Sequence, residues 1–340
     1  MISCSTANSC CRSMQHKHRF KIASEEKPTV IAALREHLPD NPSWSTVKKL
    51  LRSRFVAIGG VLCVDEARKV GAGEVITVSD RPFPPVPTDK DVAIAHVDSE
   101  LVIAEKPSGM VTLRRKPDLH WSWARKNRQP TLDECVPRLI GTHAANKKKS
   151  ERIAVHLPRM FPVHRIDRDS SGLLVFARNK EAQTNIIHQF AQHDAVRKYL
   201  AIIPGKIKDQ TVTSQFIRDR GDGLRGSTTD TTIGEQAVTH FRTLRILGPG
   251  GKFSEIECTL ETGRTNQIRI HLAELQHPIC GDIKYRCKFG QSPVADKSTA
   301  RRLALHAAEL KFVHPTTNKL MEFKTAWPTE MLKLIEKLEA

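Results

Sequence analysis

The period of the apolar positions changes along this chain, and each change marks an element or a boundary. In "TVIAALREHL" the apolar Val30, Ala33, Leu34 and Leu38 recur at helical spacing. Pro39, Asn41 and Pro42 break that pattern, and "SWSTVKKLLRSRF" resumes it as a second helix with Ser43 or Ser45 as N-cap. "VAIGGVLCVD" and, after a short polar stretch, "GEVITV" read as strands separated by turns. "SDRPFPPVPTDKDV" holds four prolines and little apolar material, the composition of a semi-rigid linker. From Asp91 onward strands dominate. "VAIAHVDSELVIAEKPSGMV" alternates and then turns at Pro107-Ser108-Gly109. Residues 112–160 are basic and irregular, with "TLDECVPRLI" as a short helix capped by Thr131 and the remainder as a long loop that carries Lys147, Lys148 and Lys149 in sequence.

Regular patterning then returns. "SSGLLVFA" feeds an apolar strand, and "NKEAQTNIIHQFAQHDAV" is a helix with Ile186, Ile187, Phe190 and Ala191 toward the core. "KYLAIIPG" is a buried strand, and "FSEIECTLETG" alternates until Gly263. "RLALHAAELKFVHPTTNKLMEFK" gives two strands around "HPTTNK", and "PTEMLKLIEKLE" is a closing helix. Strands outnumber helices and the crossovers are irregular. The expected class is therefore α+β, a mixed, mostly antiparallel central sheet flanked by helices, preceded by a small α+β unit. The expected boundaries are a disordered basic tail at 1–24, the small unit at 25–80, a linker at 81–90 and the main domain at 91–335, with a basic insertion at about 112–160.

Composition adds a sign to this outline. The chain has 340 residues, 54 Lys+Arg against 37 Asp+Glu, and a formal charge of +17. Such an excess points to a polyanionic partner, and nucleic acid comes first because phosphate contacts supply most non-specific affinity. There is no apolar run of about 18 residues, so no membrane span is expected. The eight cysteines form no C-x-x-C and no zinc-like His/Cys spacing, so neither metal nor disulfide framework is expected, and a reducing, cytoplasmic setting fits. Residues 1–24 lack both acidic residues and a continuous apolar core segment, which argues against a secretory signal.

Candidate chemistry gathers in two places. In "FPVHRIDRDSSGLLVFARNK", Asp167 stands between Arg165 and Arg168, and a carboxylate among cations is costly to protonate. A surface ion-pair cluster at a turn has the same composition. In "ETGRTNQIRIHLAELQHPICGDIKY", a helix after Gly263 would carry an Ile268, Leu272 and Leu275 stripe. Arg264, Gln267 and His271 would flank it on one side as RNA-binding residues, and Arg269 on the other, near a helix N-terminus that favours anions. In the small unit, Lys48, Lys49 and Arg52 lie on a basic helix face beside Val47, Leu50 and Leu51.

These stretches together resemble a known family. "HRIDRDSSGLLVFARNK" is similar to the signature of the RluA-type RNA pseudouridine synthases. "VIAEKPSGM", "RKYLAIIPG", "TGRTNQIRIHLAELQHPICGDIKY" and "LALHAAELKFVHP" resemble further blocks of that family in the same order. "KKLLRSRFVAIGGVLCVDEARKVGAGEVITV" resembles the RNA-binding domain named after ribosomal protein S-four. The resemblance implies an enzyme that isomerises uridine to pseudouridine in RNA, with large-subunit ribosomal RNA as the first expectation and transfer RNA as the second; the chemistry needs no cofactor or metal, and a monomer is the default. It implies Asp167 as the essential carboxylate acting on the ribose and Tyr199 as the ring that stacks on uracil. Arg269 would be the partner of the aspartate, Arg165 would occupy the gap left by a flipped nucleotide, and Leu305 would lie in an apolar floor. Asn266 stands where the family commonly has His, Ser170 replaces Thr, and the 112–160 segment is longer and more basic than the pattern. Two alternatives remain at this point. One is a catalytically silent RNA-binding protein on the same scaffold. The other is a glycoside hydrolase with Asp169 or Asp282 as second carboxylate.

Overall fold

A computed structural model describes residues 16–23, 26–80, 82–147 and 159–340. The chain divides between Val86 and Pro87 into two units. The smaller contains β1 (His16–Lys21), α1 (Val30–His37), α2 (Trp44–Arg52), β2 (Val56–Ile58), β3 (Val61–Leu62) and β4 (Val75–Ser79), with antiparallel sheet order β1-β4-β2-β3. Both helices begin at hydroxyl caps: Thr29 accepts the Ala32 N–H and Ser43 accepts that of Thr46. Val30, Leu34, Val47, Leu51, Val56 and Ile76 are fully buried in one core. Gly59 and Gly60 both hold positive φ, 56° and 75°, which lets a two-residue turn join β2 to β3.

One expectation fails here. The end of the supposed disordered tail is the strand β1, paired with β4 along His16–Lys21. "HKHRFK" has a single apolar residue, so no local period announces it. Its order comes from the ladder, from Phe20 stacked on His37 at 4.6 Å, and from Ile22 buried just beyond it.

In the larger unit the strands are β5 (Ala93–Val97), β6 (Leu101–Lys106), β7 (Phe161–Pro162), β8 (Ser171–Ala177), β9 (Val196–Pro204), β10 (Gln210–Ile217), β11 (Gly226–Thr228), β12 (Glu235–Leu247), β13 (Phe253–Leu260), β14 (Leu305–Val313) and β15 (Leu320–Lys324). The helices are α3 (Trp123–Arg128), α4 (Leu132–Lys147), α5 (Lys180–Ala191), α6 (Gln267–Glu274) and α7 (Thr329–Glu339). Among the described residues these eleven strands form one sheet in the order β11-β10-β12-β13-β9-β14-β8-β6-β5, with β15 on β14 and β7 on β8. Neighbours run antiparallel except β8 and β14, which are parallel. This is the mixed, mostly antiparallel α+β sheet flanked by helices that the patterning predicts.

β8 is apolar without interruption because both of its faces are covered. Leu174 and Phe176 join a core shared with α4, α6 and α7, while Leu173, Val175 and Ala177 join one shared with α5. The strand starts where β14 crosses closest. Gly172, at φ 112°, pairs with Ala307, and a Cβ there would lie 2.2 Å from the Ala307 carbonyl oxygen. The Ser171 hydroxyl bonds His306 Nδ1 at 2.9 Å, tying the same junction. The Ser-Ser-Gly of the sequence is thus the seam between two strands.

The basic segment is more ordered than expected. A short 3-10 turn at Lys116–Asp118 and α3 precede α4, which runs 16 residues through Pro137. Proline usually interrupts a helix. Here Leu132, Val136 and Ile140 hold α4 on the core. The Lys147–Lys149 run largely falls at residues 148–158, outside the described residues. In α5, Ile187 is 43 % exposed rather than in the core.

Candidate active site

Between β7 and β8 the chain carries "VHRIDRDS" through a loop whose carbonyls from Ile166 to Ser170 are all engaged. Thr112 Oγ1 donates to the Ile166 carbonyl at 2.8 Å, the Gly109 N–H to Arg168 at 2.8 Å, and Ser108 Oγ to Asp169 at 2.6 Å. Lys106, fully buried at the end of β6, donates from Nζ to the carbonyls of Pro107, Met110, Arg168 and Ser170 at 2.6–2.9 Å. Burial pushes its ammonium down to about 7, against the pull of Asp169 and Asp167. The carbonyl cage favours the charged form, because only an ammonium brings three protons to it. The Lys-Pro-Ser-Gly turn and the Asp167 loop are therefore one rigid object, and the Asp167 backbone has little freedom to move.

The side chain of Asp167 meets Arg269 Nη1 at 3.2 Å. The rest of that guanidinium is committed elsewhere. Nε and Nη2 hold Asp282 in a fork at 2.6 and 2.9 Å, and Nη1 also donates to Asn266 Oδ1 at 2.9 Å. Asp282 is buried and accepts the backbone N–H groups of Lys284 and Tyr285. Burial opposes the charge on Arg269, but Asp282 and Asp167 outweigh it and shift the guanidinium up. Asn266 sits at φ 60° before α6, a left-handed conformation that asparagine tolerates, and its Nδ2 donates to Tyr285 Oη at 3.1 Å.

Asp167 and Arg269 open on a cleft of about 600 Å³, in the range of small-ligand sites. Tyr199 and Arg197 on β9 line it, spaced by two and so on one face of the strand; Leu305, Leu260 and Ile268 supply apolar surface, and Ile187 of α5 adds a wall residue. Burial pushes the Tyr199 phenol up to about 12, aided by Asp167 and opposed by Arg197. It is neutral at physiological pH, a ring face with an O–H. Arg197 is 9 % exposed, lies 4.8 Å over the Phe190 ring and donates to the Glu261 carbonyl at 3.1 Å. It has no carboxylate within 4.0 Å among the described residues, and burial shifts it down. Gly263 makes room for it, since a Cβ there would lie 2.5 Å from Arg197 Nη1.

Arg165 is exposed and lines the cleft. Arg264 lines it too but is held by Glu235 at 2.8 Å and by the Gln236 carbonyl at 2.9 Å. Gln267 and His271, expected with Arg264 to contact RNA, are buried instead. α6 is buried all round against β10 and β12, so His271 is a strut, and Gln267 reaches the cleft wall while bracing the sheet. Gln267 accepts from Thr262 Oγ1 and the Arg264 N–H and donates to Val238 and Thr239. His271 is fully buried between Ser214 and Thr239. Lys48, Lys49 and Arg52 belong to α2 of the other unit, where Glu66 lies 3.7 Å from Lys48 and 2.9 Å from Arg52. Neither tempting second carboxylate is free. Asp282 is locked on Arg269, and Asp169 is forked by Arg168 at 2.7 and 2.9 Å; burial opposes its ionisation, but Arg168 holds it below the usual range. Arg197 and Lys106 are absent from the sequence-derived set. Strand periodicity before Tyr199 signals the first, and the Lys-Pro turn the second.

Comparison with known proteins agrees with this geometry. The family model described as RNA pseudouridylate synthase matches residues 100–274. A ribosomal large subunit pseudouridine synthase D of Zymomonas mobilis is 32% identical over 302 residues, 87% of this chain and 89% of that protein. A tRNA pseudouridine synthase C of Vibrio parahaemolyticus is 29% identical over 258 residues, 73% of this chain and 96% of that protein. The solved structure titled human RNA pseudouridylate synthase domain containing 4 shares the fold, with a TM-score of 0.53 at 21% identity over 72% of this chain and 92% of that one. The chain belongs to the RluA-type RNA pseudouridine synthases. It is accordingly an isomerase acting on RNA.

Proposed function

We propose that this enzyme isomerises specific uridines of ribosomal RNA, with Asp167 as the essential carboxylate acting on the ribose of a flipped-out nucleotide. The observation that carries the reading is the shared guanidinium. Arg269 spends its fork on the buried Asp282 and offers one remaining N–H to Asp167, which fixes Asp167 while leaving it open to the cleft. A paired nucleotide hides its glycosidic bond, so the target leaves the stack, at a cost of a few kcal/mol. Stacking on the neutral Tyr199 ring offsets about 1–3 kcal/mol of it, and exposed Arg165 at the cleft fills the vacated position.

The C1′–N1 bond then breaks. The electron-poor sugar is held by Asp167, covalently or electrostatically. The detached base carries the negative charge, and the guanidinium of Arg197, with no carboxylate within 4.0 Å among the described residues, stabilises it together with Arg269. The base turns, C1′ joins C5, the C5 proton leaves and N1 ends protonated. Water is not consumed, so one carboxylate suffices.

The ribosomal target is supported by relatives whose names specify the large ribosomal subunit, and transfer RNA is the second reading, favoured by the Vibrio relative. The small unit, two helices and a hairpin on one core with a basic α2 edge, supports an S-four-like role in docking RNA. The test uses RNA labelled with tritium at uridine C5. The expected result is tritium release matched by pseudouridine at a few large-subunit positions. Free uracil in place of isomerised RNA would favour a glycoside hydrolase, binding without release a silent RNA-binding protein, and modification of transfer RNA alone would move the substrate.

A further inference from the structure

Between Thr112 and Leu132 the chain makes an excursion that the chemistry above does not use. Its base is closed by the Val111–Thr131 bridge and by the Leu132 and Asp133 N–H groups on the Val111 and Thr112 carbonyls. Thr112 is itself bonded to the carbonyl of Ile166, the residue before Asp167. The excursion therefore springs from the floor of the catalytic loop.

It is a fixed platform. Buried Arg114 forks Glu134 at 2.8 and 2.7 Å and donates to the Gln129 carbonyl at 2.8 Å. Arg115 pairs with Asp118 at 2.9 Å, and Ser122 caps α3. Trp121 is clasped by two guanidinium groups, Arg125 at 4.0 Å and Arg114 at 5.3 Å from its ring centroid. On this support Trp123 stands 78 % exposed and Leu119 51 % exposed, and Arg115, Lys116, His120 and Arg128 of the same segment are exposed too. From Leu113 to Pro130 there are six Lys or Arg and one acid, Asp118. Lys116 and Arg128 have no carboxylate within 4.0 Å among the described residues.

A lone exposed apolar side chain is ordinary. A large, exposed indole in a segment with six cations and one acid is a different feature. The cations select a polyanion, and the exposed ring selects within that class a partner with a flat, unpaired π-face, which the stacked interior of a duplex does not present. We infer that Trp123 is a stacking site for an unpaired nucleotide flanking the target uridine, with Arg115, Lys116 and Arg128 holding its phosphates. The inference rests on the reading of this chain as an enzyme that takes its uridine from structured RNA. It gives the basic segment a role in choosing targets with single-stranded flanks.

The test compares wild type with Trp123→Ala and Trp123→Phe on two RNAs that carry the same target, one with unpaired flanking nucleotides and one with them paired. Trp123→Ala is expected to raise the Kd for the unpaired-flank RNA about five- to 150-fold, the loss of one stacked base. The saturated single-turnover rate stays within about twofold, because this residue does not touch the reacting base. Trp123→Phe keeps most of the affinity. The alanine variant loses the preference of wild type for unpaired flanks, and the fluorescence quenching that unpaired-flank RNA causes in wild type is smaller in the variant. Changing Arg115, Lys116 and Arg128 together to Gln lowers the salt slope by roughly 0.7 for each phosphate that is no longer neutralised. An unchanged Kd and an unchanged flank preference in Trp123→Ala would overturn the inference and leave a protein partner as the occupant. Tritium release by wild type in the same assay reports separately on the enzymatic reading.

Discussion

In the cleft, the side chain of Arg269 is 7 % exposed and holds two carboxylates, Asp282 at 2.6 Å and Asp167 at 3.2 Å. On α2, the side chain of Arg52 is 70 % exposed and shares Glu66 with Lys48. The residue types are the same and the physics differs. Breaking a buried pair strands a desolvated charge and costs about 3–5 kcal/mol. An exposed pair is worth about 0–1 kcal/mol and is screened over about 8 Å at physiological salt. The cleft charges can therefore hold a reacting group to a geometry, whereas the α2 charges can only attract a polyanion. Arg197 is a third case, a buried cation without a carboxylate within 4.0 Å among the described residues, which fits a site that receives an anion from outside.

Among the residues around the carboxylate, the largest effect is expected at Arg269. Arg269→Met leaves Asp282 buried and unpaired, and urea unfolding is expected to show a loss of about 3–5 kcal/mol. A loss below about 1 kcal/mol would erase the distinction from α2. Arg197→Met is expected to slow saturated turnover about ten- to a hundredfold, about 1.5–3 kcal/mol for a charged hydrogen bond, without loss of stability. A destabilised but fully active variant would contradict an anion-receiving role.

A smaller effect concerns pH. Burial pushes the imidazoles of His271 and His306 down to about 4. A depressed folded value means that the unfolded chain binds the proton first. Stability is then complete above about 6.5 and falls as pH drops from there to about 4, by about 1.4 kcal/mol per unit for each histidine. Urea midpoints at pH 7, 6 and 5 check this, and a flat response would show that these rings accept charge in place. The smallest effect is expected on α2. Changing Lys48, Lys49 and Arg52 to Glu weakens RNA binding by less than about fivefold per residue and lowers its salt dependence, with the saturated rate kept. Unchanged binding would remove this helix from the RNA footprint.

Much of this arrangement is legible in the sequence where local chemistry and tertiary context agree. The Ser-Ser-Gly that feeds an apolar strand is visible in the sequence, and the structure adds Ala307 as the close neighbour that Gly172 admits. Asp167 and Arg269 belong to motifs about a hundred residues apart, and the fold brings them to 3.2 Å. The misses share one cause, contacts that no local period encodes. β1 is ordered by β4, and α4 is held through Pro137 by the core. α6 carries polar residues on a face that β10 and β12 cover, so Gln267 and His271 read as solvent-facing and are buried. Arg197 is inconspicuous in a basic chain until it is seen buried with no carboxylate within 4.0 Å among the described residues.

The central claim is that one carboxylate, positioned by a shared guanidinium, acts on the ribose. It is tested most directly by single-turnover tritium release from C5-labelled RNA with Asp167→Asn, measured alongside RNA affinity. The account predicts a rate at least about a thousandfold below wild type with Kd within about threefold. A variant that binds RNA normally and still releases tritium within about tenfold of the wild-type rate would contradict it.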